Sequence, residues 1–196
     1  MLFSNSMNIN LADVNNGKYT VSIIADDEYI GPNIAMGHEW DGWMRNDIKT
    51  YYKEGTDILD VGANIGYNTL MFSDYGPVSS FEPVFHQIVA KNVKQNPIRH
   101  PVNVYTCALS NEKKQMEIFI PSHGCQSNTQ INYGGTSFHL EGDMKGMGMQ
   151  VPCERLDDIY EGIPSVIKID VEHHEMQVLE GAKETIQKHM PTILIE

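Results

Sequence analysis

This sequence predicts an α/β fold, with a mainly parallel, twisted sheet and helices on both of its faces. Short apolar runs of strand length recur at residues 58–63, 77–83, 102–109, 165–171 and 192–196. Stretches whose apolar residues repeat at helical spacing lie between several of them. Such strand–helix alternation implies parallel pairing, with the helices packed over the sheet.

The chain opens with an extension. KYTVSIIADDEYI (18–30) alternates apolar and polar residues, as a strand or hairpin does. In GHEWDGWMRNDIKTYYKEG (37–55), Trp40, Trp43, Ile48 and Tyr51 recur at three- to five-residue steps, which predicts a helix ending at Gly55. ILDVGA (58–63) is then a short apolar strand, and a helix can begin near Gly66. PVSSFEP is the second strand of the core. After Pro83, Phe85, Ile88, Val89 and Val93 share one helical face, and Pro97 ends it. VNVYTCAL, SVIKIDV and TILIE are the third, fourth and fifth strands, and MQVLEGAKETIQKH (176–189) is a helix aligning Leu179, Ala182 and Ile186. KKQMEIFIP and MGMQVPCERL read as strands flanking SHGCQSNTQINYGGTSF, an inserted hairpin-like loop expected to cover or line a site.

The 196 residues suffice for one domain with a substantial core, and 41% hydrophobic with 20% charged residues is ordinary for a globular chain. No apolar run approaches the roughly 20 residues that span a bilayer, and no signal peptide is visible, so no membrane partner is expected. A net charge of −12 disfavours a nucleic-acid partner. Cys107, Cys125 and Cys153 are odd in number and lack a C-x-x-C, as expected of reduced thiols in a cytoplasmic protein. Most methionines, Met71 and Met176 included, read as core filler. Met144, Met147 and Met149 fit a mobile loop or an interface patch equally, which leaves a homo-oligomer open.

ILDVGANIG has the form D-x-G-x-N-x-G, after a buried strand and at a helix start. Gly62 allows a tight turn, Asn64 tolerates left-handed backbone angles, and Gly66 is expected to let the helix pack closely on the sheet. About 20 residues past Gly62, Glu82 ends the next strand, where a carboxylate accepts hydrogen bonds from ribose hydroxyls. Together they indicate an adenosine-type ligand, against the plainer reading of a tight turn and a surface glutamate. Asp60, two residues before the first glycine, would repel a pyrophosphate and suits the ammonium and sulfonium of S-adenosylmethionine, so the methyl donor is favoured over NAD.

With these residues placed, the chain resembles the FkbM-type methyltransferases, a branch of the Rossmann-like class I methyltransferase fold. The resemblance runs from about residue 30 to the C-terminus. It rests on ILDVGANIGYNTL, on FEP, on GGTSF leading to VPCERLDDI, and on VIKIDVEHHEMQVLEGA, in the family's order. It implies O-methylation, commonly of sugar or polyketide-linked hydroxyls. Asp60, Gly62 and Asn64 would surround the methionine part of the cofactor, Glu82 would hold the ribose, and Ala108 and Leu109 would lie near the adenine. Glu39 or Trp40 would close over the cofactor. On this reading residues 1–196 form one methyltransferase domain, with 1–55 an N-terminal β/α extension and 56–196 the cofactor-binding core. Two departures stand out. The family usually has glycine where this chain has His173. Class I sheets usually add an antiparallel pair after the fifth strand, so either the sequence stops short of that pair or N-terminal strands cover the edge.

KIDVEHHE (168–175) sits at a strand's carboxyl end, on the same edge as Gly62 and Glu82. Three readings compete there. Asp170 or His173 is the general base, with Lys168 structural. Alternatively Asp170, Glu172 and His173 bind a divalent cation, Mg or Mn, that acidifies the hydroxyl. In the plainest reading, Glu172 and Glu175 favour the positive end of the following helix and the histidines are solvated. In the inserted loop, His123, His139, Thr136 and Ser137 could contact an acceptor sugar, although loop histidines are more often simply solvated. The expectation is an S-adenosylmethionine-dependent O-methyltransferase with a small-molecule or glycan acceptor, a deoxyhexose such as rhamnose being a guess. The alternatives are an NAD-dependent oxidoreductase and a non-catalytic adenosine-binding or assembly module.

Overall fold

The computed structural model describes residues 9–122, 129–139 and 145–196. Strands β1 (Leu11–Asn15) and β2 (Thr20–Ile24) form an antiparallel hairpin that is a sheet of its own. Two short helices follow, α1 (Ile30–Ala35) and α2 (Met44–Tyr51). The predicted helix over 37–55 is therefore shorter than its apolar spacing suggested. Asp41 holds a left-handed φ of 49°, so the chain turns before Met44. Met44 and Ile48, one turn apart, are the residues of α2 that reach the core, while Trp43 and Tyr51 stay exposed.

From residue 57 the chain follows the predicted alternation: β3 (Asp57–Val61), α3 (Tyr67–Phe72), β4 (Val78–Phe81), α4 (His86–Gln95) and β5 (Val102–Tyr105). The third predicted strand then divides. Ala108–Leu109 forms β6, which leaves the main sheet and pairs in parallel with β8 (Gly146–Glu154), itself antiparallel to β7 (Lys114–Pro121). A short helix α5 (Leu156–Ile159) precedes β9 (Pro164–Ile169). The long predicted helix after β9 is two, α6 (Glu175–Gly181) and α7 (Lys183–His189), before β10 (Thr192–Ile195). The break falls at Ala182, and Asp157 of α5 accepts the backbone N–H groups of Glu184 and Thr185, which starts α7 afresh.

The main sheet has the order β10-β9-β3-β4-β5 and is parallel throughout. Its central strands are buried on both faces. Leu59, Val61, Ile167 and Ile169 pack with Val178 and Ala182, whereas Ile58 and Val166 pack with Ile48, Met71 and Phe72. Each such aliphatic side chain contributes about 1.5–3 kcal/mol by leaving water. The hairpin β1–β2 does not cover the β10 edge; it packs with Tyr67, Phe85 and Ile88 of the α3–α4 side. Met71 is core, but Met176 is 65% exposed, because it points away from the face of α6 that carries Val178. Cys107 and Cys153 are free, buried thiols whose pKa values burial pushes up to about 11. Cys125, His123 and Met144 lie outside the described residues. No described helix is long and apolar enough to cross a membrane.

Candidate active site

The strand order creates the site. From β3 the chain moves outward through β4 to β5, then returns to the other side of β3 as β9 and continues to β10. A parallel sheet opens a crevice at the carboxyl ends of its strands where the winding reverses, here between β3 and β9. Val61 is in register with Ile169, so Gly62 and Asp170 emerge level with each other. A cleft of about 260 Å³ opens there. The glycine turn, the end of β4, β6 and the 168–174 segment all line it, with Asn132, Gly134, Thr136 and Phe138 of the inserted loop, and Tyr29 and Trp40 of the extension.

Gly62 and Asn64 hold left-handed φ angles of 78° and 51°, as the D-x-G-x-N-x-G pattern predicts. Gly62 meets a second demand, since a Cβ there would lie 1.9 Å from the Asp170 carbonyl oxygen. Gly66 serves a different contact from the one expected. A Cβ on it would meet Val89 at 2.9 Å, so it admits helix α4 rather than the sheet. The turn also spends its own amides. Gly62 and Ala63 donate to the Phe81 carbonyl, Asn64 to Glu82 Oε2, Ile65 to Asn64 Oδ1, and Gly66 to the Ala63 carbonyl.

Glu82 lines the cleft and is 6% exposed. Its Oε1 accepts from the N–H groups of Val84 and Phe85 at 2.7 and 2.9 Å, and its Oε2 from Asn64 N–H at 2.9 Å. Three of the roughly four acceptor positions of a carboxylate are thereby filled. Burial raises its pKa, against the pull of those amides and of Lys168.

Asp60, expected at the cofactor, is fully buried and does not line the cleft. Thr69 Oγ1 donates to its Oδ2 at 2.5 Å, and its Oδ1 lies 3.5 Å from Lys168 Nζ. The lysine, only 2% exposed, also donates to the Gly62 carbonyl at 2.8 Å and sits 3.3 Å from Asp170 Oδ2. Burial works against its charge, yet Asp60 and Asp170 outweigh burial and raise its pKa. Lys168 thus ties the tip of β3 to the tip of β9. Ala108 and Leu109 line the cleft as buried apolar groups. Glu39 is turned to an ion pair with Arg45 at 2.8 Å, while its neighbour Trp40 reaches the cleft.

At KIDVEHHE, Asp170 and Glu172 line the cleft; His173 is exposed and is not among the lining residues. Glu172 and His173 both hold left-handed φ angles, 48° and 71°. Burial, and then the neighbouring Asp170, raise the Glu172 pKa. Among the described residues, no group of three or more His, Cys, Asp or Glu side chains is gathered to hold a metal ion, so Asp170, Glu172 and His173 do not converge as the ligand set considered from sequence. Tyr133 and Ser137 of the inserted loop are pinned to the glycine turn and to this segment. Ser137 Oγ donates to the Glu172 carbonyl at 2.7 Å, and Asn64 Nδ2 donates to the Tyr133 carbonyl at 3.3 Å.

Among the polar lining residues that escaped the sequence reading are His174, Asn68 and Glu196. His174 is 2% exposed, with Nε2 3.1 Å from Ser110 Oγ and its ring 4.6 Å from that of Phe138. Burial drives its pKa down to about 4, so the imidazole is neutral. Asn68 donates from Nδ2 to Asp41 Oδ2 at 3.0 Å, and Glu196 follows β10 beside the β9 tip. Glu196 was findable, being the acid at the end of a predicted strand. The other two carry no pattern that marks them.

The crystal structure of a methyltransferase FkbM from Methylobacillus flagellatus KT superposes with a TM-score of 0.50 at 19% identity, over 74% of this chain and 33% of that one. Wild-type Trm5b from Pyrococcus abyssi superposes with a TM-score of 0.36 at 14% identity, over 53% of this chain and 31% of that one. The chain therefore spans about a third of the length of these solved proteins. Among curated proteins, none matches the sequence. The family model for the methyltransferase FkbM domain matches residues 60–196, from the acid of the glycine turn to the glutamate after β10, and the chain belongs to that family.

Proposed function

We propose that this chain is an S-adenosylmethionine-dependent O-methyltransferase that modifies a sugar hydroxyl, on a glycan or a glycosylated metabolite, in the cytoplasm. One observation carries the choice of cofactor: every backbone amide from Gly62 to Gly66 is already bonded within the protein, while Asp170, Glu172 and Glu196 line the same cleft. A dinucleotide needs free amides to cradle its pyrophosphate and is repelled by carboxylates. An ammonium and a sulfonium need the reverse. Glu82 keeps acceptor capacity for a ribose hydroxyl, and Ala108 and Leu109 offer an apolar wall to adenine.

When bound, the donor supplies a methyl carbon to which the acceptor oxygen bonds in line as the carbon–sulfur bond breaks and its electron pair stays on sulfur. The chain's own residues then have three tasks. Glu172 takes the hydroxyl proton at a carboxylate oxygen, a role its raised pKa suits and its place in the lining permits. Asp170, anchored by Lys168, holds the acceptor in place. Trp40, Tyr29 and Phe138 keep water out. Calorimetric titration with S-adenosylmethionine, its demethylated product and NAD tests the reading. The first two should bind and NAD should not. NAD binding alone would overturn it, and cofactor binding without turnover on any alcohol would favour a non-catalytic module.

A further inference from the structure

The N-terminal hairpin is joined to the glycine turn through one buried amide. Among the described residues, no strand pairs with the outward edge of β2, and side chains of α4 take that place. Asn96 Oδ1 accepts from Thr20 N–H at 2.9 Å, and its Nδ2 donates to the Thr20 carbonyl at 2.7 Å. Asn92 repeats the pairing at Ser22, at 2.6 and 3.1 Å. Two strand residues advance about 6.7 Å and four helical residues about 6.0 Å, so the two amides keep step with the edge. Gln95 donates to the Thr20 carbonyl at 2.8 Å and to Asn92 Oδ1 at 2.9 Å.

Asn92 reaches further than Asn96. It is fully buried, and its Nδ2 also donates to the Ile65 carbonyl of the glycine turn at 2.7 Å. Both donors and both acceptor positions of the amide are then in use. The Ile65 carbonyl belongs to the peptide that joins Ile65 to Gly66. Gly66 holds a φ of 83°, and glycine takes positive and negative φ about equally, so the residue itself does not fix how that peptide lies. The peptide's N–H bonds to the Ala63 carbonyl, inside the same turn, whereas its carbonyl is bonded to a helix outside it. The missing Cβ of Gly66 serves the same approach, because it admits Val89, which lies one helical turn before Asn92 on α4. Ala63, Asn64 and Ile65 line the cleft and Asn92 does not, so Asn92 acts on the cleft wall from behind.

We propose that Asn92 is a positioning residue for the donor: it fixes the Ile65–Gly66 peptide against β2 and so holds the glycine turn in its binding conformation. The hairpin, which precedes the matched family domain at 60–196, then serves as the turn's outer support. The inference rests on the S-adenosylmethionine reading above and deepens it. It assigns distinct effects to two side chains that pair alike with β2. Loss of Asn96 loosens the hairpin alone, whereas loss of Asn92 also frees the turn.

Calorimetric titration of the full chain with demethylated donor separates the two, at a temperature well below the unfolding midpoint of every variant. Absence of binding to the unaltered protein strikes the cofactor reading and takes this inference with it. Given that binding, Asn92→Ala should raise the Kd at least about tenfold and Asn96→Ala no more than about twofold, although both variants lose bonds to β2 and both lower the midpoint. A smaller rise in Asn92→Ala, or an equal rise in both variants, overturns the proposal. Should Asn92→Ala fail to fold, amide hydrogen exchange of the unaltered chain decides. Coupling between two sites is reciprocal, so donor binding should slow exchange at the Ser22 amide, held by Asn92, at least about threefold more than at the Thr20 amide, held by Asn96. Equal slowing at the two amides, or none, overturns the proposal as well.

Discussion

Glu172 and His173 are consecutive side-chain-bearing residues in left-handed conformation, a state that costs an L-residue about 1–2 kcal/mol. Glycine would sit at His173 without that cost, which is the residue the family resemblance puts there. His173→Gly should therefore raise the unfolding free energy by about 1 kcal/mol in urea titration and change kcat only a few-fold. A fall in kcat of two orders or more would return the imidazole to the mechanism. Glu172→Gln should lower kcat by about 10²–10⁴ while the affinity for demethylated donor holds. The pH profile separates this role from a structural one. Glu172 acts only when deprotonated, and its pKa is raised, so activity should climb with pH through a limb above the ordinary carboxylate value. In Glu172→Gln that limb should vanish.

Among the elements, the junction of β3 with β9 is the most exposed to single changes. Lys168→Met leaves Asp60 and Asp170 facing each other's surroundings without a cation, and breaking a buried pair this way costs about 3–5 kcal/mol. Denaturant unfolding of Lys168→Met, beside the double variant Asp60→Asn/Lys168→Met, measures it. The double variant should recover part of the loss, because no buried carboxylate then remains at residue 60. Gly62→Ala drives a methyl group into the Asp170 carbonyl and forces a left-handed alanine. It should abolish binding of the demethylated donor, whether or not the chain still folds. The strands themselves were readable as apolar runs, since burial on both faces leaves no other pattern. The helices were less so. Trp40, Trp43 and Tyr51 mimicked a helical stripe, yet the left-handed Asp41 delays α2 until Met44.

Over the whole molecule, charge and burial set the response to pH. His174 titrates near 6.5 when exposed and at about 4 in the fold, so the unfolded chain binds its proton first. The stability this contributes is complete above about pH 6.5 and is lost as pH falls toward about 4, by up to ~3 kcal/mol. Glu82, Glu172 and Glu196 work in the opposite sense, because a raised carboxyl pKa makes the fold the better proton acceptor. Comparison with His174→Gln isolates the histidine. The difference in unfolding free energy between the two proteins should shrink steadily on acidification between pH 7 and 4. A constant difference would mean that the imidazole is not buried in neutral form.

Taken alone, the sequence determined the parallel α/β architecture, the left-handed turn at Gly62 and Asn64, and the family, because each depends on order and spacing along the chain. It also put Glu82, Asp170 and Glu172 at strand tips, and those tips share one cleft. The tertiary structure alone decided which way side chains face once strands are paired. Asp60 and Lys168 are cross-strand partners on the face packed against α3, so the acid that seemed meant for a cofactor neutralises a buried lysine instead. His174, Asn68 and the loop residues around Phe138 meet at the cleft from segments distant in the chain. Periodicity reports which face of an element is apolar; it holds no record of what that face will meet.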